Sequence, residues 1–407
     1  MMSSIYNKLI FGGKSFQRDT IEARMHEGGF NSISRFELFL WDLEILLQLQ
    51  KRLGDKVVLK GGAAAQFYIP VEAQRTSVDI DLLCSASEQE VADALSDIES
   101  SLKSHSEDFR FRKHIPQRPR VKLSSLSTYF MTVPTSCTDK ELTGSGMKQE
   151  VKVEFLFVDK QYPINRIYSP KLFAVETSEI FNVLPLEYLF ADKLTTLGPE
   201  TIGIPEERCD EQFKQIYDLI TIFNNNTEYL LEKADDIREH YRSAAKFECK
   251  LHDIDYNEEK LLEDMNTLIS RVRGIENDEE LMRIANNFQS LYVKRSQIKS
   301  KSDWAIAAMK LQLLVDRTFE KNRSIDRFKD IETLITKLQF NDIRGPERGR
   351  KLVSTKEALK GICTEIPELR SDLFNKKPER VIWELLLYKD LDSIAESLTV
   401  QLGTWRG

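Results

Sequence analysis

Residues 57–83, VVLKGGAAAQFYIPVEAQRTSVDIDLL, hold two short apolar runs separated by a Gly-Gly pair and a polar gap. In the second run Val78, Ile80 and Leu82 alternate with Ser77, Asp79 and Asp81, the period of a half-buried strand. Successive strand side chains point to opposite faces, so the apolar set meets a core and Asp79 and Asp81 share the other face. Two neighbouring carboxylates repel unless something positive sits between them. A divalent cation, Mg²⁺ or Mn²⁺, is the simplest such object, because hard cations take oxygen ligands. Upstream, Gly61 and Gly62 let backbone approach a ligand closely, and if they open a helix its free N–H groups favour phosphate. Lys60 adds charge beside them. Arg75 and Ser77 either pair with phosphate oxygens or fix a loop. Phosphate, metal and paired carboxylates together make the constellation of nucleotidyl or phosphoryl transfer.

Working outward, residues 1–54 read as helical, with Phe36, Phe39, Leu43, Leu46 and Leu47 at three- and four-residue spacings and Ser34 as the expected cap. Residues 57–59 form a short strand or helix end. Ser87-x-x-Glu90 is a capping box for a helix striped by Val91, Ala94, Leu95, Ile98 and Leu102. Residues 109–158 read as antiparallel strands, interrupted by a Thr/Ser/Gly-rich loop over 136–146. In the last of these strands Val151, Val153 and Phe155 alternate with Lys152, Glu154 and Leu156, so Glu154 faces away from the apolar set. Pro185 suits the first turn of a helix whose stripe is Leu186, Leu189, Phe190, Leu194 and Leu197. Lys193 falls inside that stripe, where a lysine must be paired, reach a cavity or snorkel.

A further helix carries Phe213, Ile216, Tyr217, Ile220 and Phe223 on one face and leaves Asp218 opposite, on the side read as solvated. The run Asn224-Asn225-Asn226 is the best domain boundary. Beyond it the pattern is helical. Asp303 is expected to cap the Trp304–Phe319 stripe, Ser354-x-x-Glu357 is a second capping box, Gly345-Pro346 and Gly349 mark a turn, and Pro378 starts a helix. The expected architecture is a mixed α/β (α+β) domain over 1–226 followed by an all-α helical bundle over 227–407.

Composition excludes several classes. Hydrophobic content of 41% and charged content of 30% are those of a globular protein, and no apolar run is long enough to span a membrane. The N-terminal residues are too polar for a secretory signal, which points to the cytoplasm. Five cysteines without CxxC spacing suggest neither a disulfide framework nor a zinc site. The formal net charge of −7 excludes a generic nucleic-acid coat, so any RNA contact needs a local basic patch. Residues 110–122 supply one: Arg110, Arg112, Lys113, His114, Arg118, Arg120 and Lys122, with no acid among them. This run reads equally as a phosphate-tracking groove or as an edge strand kept soluble by charge. No Ser/His/Asp or Cys/His arrangement points to a hydrolase.

The pattern Leu59-Lys60-Gly61-Gly62, then Arg75-x-Ser77-x-Asp79-x-Asp81-Leu82, resembles the opening of the AbiEii-type nucleotidyltransferases. These are toxins of type IV toxin–antitoxin systems within the DNA polymerase β-like nucleotidyltransferase superfamily. Ala191-Asp192-Lys193-Leu194 resembles that family's second block, whose lysine faces the nucleotide, and Tyr217-Asp218-Leu219 resembles its closing block. In the closing block Lys214 takes the basic place, and Gln215 stands where an acidic residue is usual. The resemblance covers roughly 55–222. It implies a nucleotidyltransferase fold, with Asp79, Asp81 and Glu154 as metal ligands. Lys60, Gly61, Gly62, Arg75, Ser77 and Lys193 would meet the NTP, and Lys193 and Asp218 would join the carboxylates as catalytic residues. It further implies transfer of NMP to an acceptor such as the 3′ end of tRNA, and neutralisation by a cognate antitoxin. Rival readings are a transferase of the same fold acting on an antibiotic or a protein hydroxyl, and a catalytically weak scaffold whose helical half binds a partner.

Overall fold

The computed structural model describes residues 8–103, 109–115, 125–142, 148–159, 161–369 and 376–399. The chain forms two compact units. The first comprises Met1–Asn226, Glu239–Asp264 and Arg283–Ile298, and the second Thr227–Arg238, Met265–Met282 and Lys299–Gly407. The chain thus leaves the first unit at the asparagine run and re-enters it twice, over segments that the sequence reading grouped with the helical half.

Among the described residues a seven-stranded mixed sheet centres the first unit. Its strands are β1 (Val57–Lys60), β2 (Asp79–Cys84), β3 (Arg110–His114), β4 (Leu126–Val133), β5 (Gln149–Phe157), β6 (Asn165–Tyr168) and β7 (Ile180–Val183), in the order β3-β4-β5-β2-β1-β7-β6. β2 runs parallel to β5 and β1 parallel to β7, and the other neighbours are antiparallel. Helices α1 (Arg18–Gly28) and α2 (Ile33–Leu53) precede the sheet, and α3 (Gly61–Ala65) and α4 (Glu88–Lys103) flank β2 in sequence. Ile80 and Leu82 of β2 and Val151, Val153 and Phe155 of β5 are buried in one core with Phe36, Phe39, Leu43 and Leu46 of α2. α2 is apolar nearly all round, which is why it is buried along almost its whole length. Its cap is Ser32, whose hydroxyl accepts from the Arg35 N–H; Ser34, the expected cap, is already helical and buried. The Ser87 box forms as expected: Ser87 N–H and Oγ both meet Glu90 Oε2 at 2.9 Å.

The chain continues through α5 (Leu186–Thr195), which begins behind Pro185, α6 (Cys209–Asn225), α7 (Thr227–Glu232), α8 (Ala234–His252), α9 (Glu258–Arg273) and α10 (Glu279–Tyr292). Then come α11 (Lys301–Thr318), α12 (Phe328–Lys337), α13 (Pro346–Thr364), α14 (Pro378–Leu385) and α15 (Leu391–Ser397). In the second unit α11 packs on α14, burying Trp304, Leu311 and Leu314 with Ile382 and Trp383. Two capping expectations shift. Ser300 is the cap of α11, with Asp303 as its reciprocal partner three residues on. Ser354 and Glu357 lie inside α13, which Gly345-Pro346 has already started, and Gly349 is helical too.

Candidate active site

β1 ends at Lys60 and the backbone turns at once into α3. Gly61 adopts φ +73°, and a Cβ placed on it would lie 2.0 Å from Asp81 Oδ2. Conformation and contact therefore both demand glycine here. A Cβ on Gly62 would meet Arg75 Nη2 at 3.0 Å and Ser77 Oγ at 3.1 Å. The Gly pair, Arg75, Ser77 and Asp81 thus converge where β1 ends and β2 begins. α3 has only five residues, so what it offers a ligand is its first N–H groups more than a macrodipole.

The parallel register of β2 on β5 sets Asp79 beside Lys152 and Asp81 beside Glu154. All four side chains lie on the face opposite Ile80 and Val153. Asp79 is 39% exposed and Glu154 29%. Thr128 Oγ1 donates to Glu154 Oε1 at 3.2 Å. Lys152 Nζ lies 3.0 Å from Glu154 Oε1 and 3.8 Å from Asp79 Oδ1. Burial, followed by the charges of Glu154 and Asp79, pushes Asp81 up to about 7. Burial also opposes ionisation of Glu154, but the Lys152 ammonium outweighs it and holds the carboxyl below its ordinary range. Lys152 thus supplies the positive charge between Glu154 and Asp79. Among the described residues no three His, Cys, Asp or Glu side chains are drawn together tightly enough to hold an ion as they are placed. The donors themselves, carboxylate oxygens gathered on one sheet face, are of the kind that suits a hard divalent cation.

Beside them, Asp218 of α6 joins three chain segments. Its Oδ1 accepts from Arg75 Nε at 2.7 Å, and its Oδ2 from Arg75 Nη2 at 2.7 Å and Lys193 Nζ at 2.8 Å. Arg75 Nη1 donates to its neighbour's carbonyl, Thr76 O. The side chains of Lys193 and Asp218 are 1% and 0% exposed. The solvated reading of Asp218 is therefore corrected: α6 is buried on more than the Phe213–Phe223 face. Burial would raise Asp218, but the Arg75 and Lys193 charges hold it below the usual carboxylate range. Lys193 meets this carboxylate and Gln215 Oε1, also at 2.8 Å, so its negative partner is supplied from within the protein. Arg75 likewise fixes the loop before β2. Lys60 Nζ pairs with Asp192 Oδ1 at 2.8 Å. Burial works against its charge, but Asp192, Glu248 and Asp81 outweigh that and hold the ammonium above the lysine range.

Three groups near the carboxylates were given no role in the sequence reading. Lys152 was visible in the same alternation that singled out Glu154. Arg208, paired with Glu211, lies within electrostatic reach of Glu154 and Asp79, and Glu248 within that of Lys60; no local pattern signals either. Of the basic run, Arg110, Arg112 and His114 share the carboxylates' face, in register with Thr132, Phe130 and Thr128 of β4. Arg112 stacks over Phe130 and pairs with Glu150 at 2.9 Å. Arg118, Arg120 and Lys122 lie outside the described residues.

The profile of the nucleotidyl transferase AbiEii toxin family, type IV toxin–antitoxin system, matches residues 44–292. The chain belongs to the AbiEii family. The matched span contains β1, β2 and β5, the Gly61-Gly62 turn and the Arg75–Asp218–Lys193 cluster. This AbiEii chain is accordingly a nucleotidyltransferase with an NTP substrate, of a family that uses divalent metal and is countered by antitoxins. Among solved structures it is similar to MenT4, a nucleotidyltransferase toxin from Mycobacterium tuberculosis, at 12% identity and a TM-score of 0.39, over 75% of this chain and 99% of that one. It is also similar to an H. pylori chain assigned as a nucleotidyltransferase, at 16% identity and a TM-score of 0.34, over 70% of this chain and 98% of that one. No curated protein matches the AbiEii chain. Among the described residues no helix is long and apolar enough to cross a membrane.

Proposed function

We propose that this AbiEii enzyme works in the cytoplasm as a toxin, moving a nucleoside monophosphate from a Mg²⁺-bound NTP to the 3′ end of tRNA. A cognate antitoxin would restrain it. The observation that supports this reading best is the single sheet face that holds Asp79, Asp81 and Glu154, with Gly61 pressed against Asp81. These three carboxylates would hold the metal, which supplies charge neutralisation for the triphosphate and acidifies the attacking hydroxyl. Backbone N–H groups of Gly61 and Gly62 and the Ser77 hydroxyl donate to phosphate oxygens. Asp218, Arg75 and Lys193 act by position: they anchor the loop that carries Ser77, and they place a net positive charge behind Gly62. Arg110, Arg112 and His114 would track acceptor phosphates from the far side of the same face, three strand spacings or about 14 Å from β2. The first unit, 1–226 with 239–264 and 283–298, would form the catalytic domain, and the second unit a helical domain.

The test is incubation of the protein with each labelled NTP and total RNA, with and without Mg²⁺. The expected product is RNA labelled only when metal is present, and lost in Asp79→Asn and Asp81→Asn. Label on protein or on a small molecule would overturn the RNA acceptor, and full incorporation by either variant would overturn the metal site.

A further inference from the structure

A cavity of about 120 Å³ lies on the carboxylates' own sheet face, with Leu83 and Leu156 in its lining. These two leucines are register partners, and each follows Asp81 or Glu154 by two residues, so they sit on the same face. Tyr188 and Asp192 of α5 line one side, and Ala244, Phe247 and Glu248 of α8 another. His240 stacks on Tyr188 with ring centroids 3.5 Å apart. Lys60 links the cavity to the site: it holds Asp192 at 2.8 Å and is the register partner of Asp81.

We propose that this cavity receives the base of the incoming nucleotide and that its shape and chemistry select cytosine; the proposal rests on the nucleotidyltransferase reading of the adjoining carboxylates. Two residues of strand span about 7 Å, comparable to the separation of a nucleotide's α-phosphate from its base. The triphosphate then runs one way from the carboxylates, toward Gly61, Gly62 and Ser77, and the base runs the other way. Size favours a single ring, since at about 120 Å³ the cavity is smaller than the roughly 150 Å³ apolar cavity that binds benzene, and a fused purine needs more room still. The leucines, Phe247 and the Tyr188–His240 stack offer the apolar and aromatic surfaces that a base's faces prefer. Glu248 decides between the pyrimidines. Cytosine carries an amino donor at C4, where uracil carries a carbonyl acceptor. Ionised, the carboxyl group offers that amino group acceptor oxygens and repels the uracil oxygen, whereas its protonated form has a donor for uracil as well, so the preference for cytosine belongs to the carboxylate.

The experiment measures binding of α,β-methylene analogues of CTP, UTP, ATP and GTP, and of pyrophosphate, to the full chain by calorimetry with Mg²⁺ present. The cytidine analogue is expected to bind about tenfold or more tighter than the other three. Ala244→Phe, which fills the cavity, should remove most of that advantage while pyrophosphate still binds. Glu248→Gln should narrow the gap between cytidine and uridine, because an amide can turn its NH₂ to the uracil oxygen. Should Ala244→Phe fail to fold by its melting curve, the Glu248→Gln comparison decides alone. Equal binding of purine and pyrimidine analogues, with no change in Glu248→Gln, would overturn the pocket while leaving the phosphate site standing. Failure of the wild type to bind any analogue or pyrophosphate would overturn both readings together.

Discussion

Asp218 balances two cations with one carboxylate, so the buried cluster of Arg75, Lys193 and Asp218 carries one excess positive charge. An acid in place of Gln215 would cancel it; the amide leaves it in place. Deleting different members should therefore have different effects. Asp218→Ala strands two buried cations and is expected to cost about 3–5 kcal/mol in denaturant unfolding. Lys193→Met leaves the two-pronged Arg75–Asp218 pair intact, so stability should hold or rise slightly. Nucleotide incorporation should nevertheless fall, because the positive potential behind Gly62 is lost. Equal destabilisation by both substitutions would count against the excess-charge account. Lys152 gives a second contrast. It lies between Asp79 and Glu154, so Lys152→Met leaves three carboxylates facing one another. Metal-free melting temperature should drop, and Mg²⁺ should raise it by more than in the wild type. An unchanged response to Mg²⁺ would mean that the lysine and the ion do not share a place.

At the scale of elements, β3 presents Arg110, Arg112 and His114 on the face that holds the carboxylates. Arg110→Glu combined with Arg112→Gln should weaken RNA binding and flatten its dependence on salt, while NTP binding persists. An unaltered salt slope would return β3 to the role of a charge-guarded edge strand. What could be read without coordinates follows the same division by element. β2 and β5 were legible because strand alternation is local: each residue's face is set by its neighbours two positions away. Pro185 and Ser87 announced their helices for the same reason. Ser354 misled because a box pattern caps only where the backbone is not yet helical, and Pro346 starts α13 eight residues earlier. Asp218 misled because a helical wheel assumes one buried face, whereas α6 is buried at Ile216, Tyr217, Asp218, Leu219 and Ile220 in succession. Its partner Arg75 is 143 residues away, and only the folded sheet brings them together.

For the molecule as a whole, stability carries the imprint of one buried acid. Asp42 is buried within α2, and neither carboxyl oxygen has a hydrogen-bond partner. Burial, reinforced by the negative charges of Asp79 and Asp81, lifts its pKa well above the aspartate range. The folded state therefore holds a proton there that the unfolded chain releases near pH 4. Between that point and the folded pKa, the folded state binds more protons than the unfolded state, so stability declines as pH rises. Asp42→Asn should match the wild type in melting temperature near pH 4 and exceed it at pH 7. Parallel curves across that range would show Asp42 to be ionised in the fold. The distance between Arg75 and Asp218 along the chain has a consequence of another kind, in the order of synthesis. A ribosome delivers β1, the Gly pair and β2 long before α6, and Asp218 emerges only after more than half of the 407 residues have been made. Until then Arg75 lacks that counter-ion, and the loop ahead of Asp79 is held only by bonds such as those to Gln66 and Ile69. The cluster of Arg75, Lys193 and Asp218 therefore closes only once α6 has been made, so this part of the site is completed in the course of synthesis and not at its start.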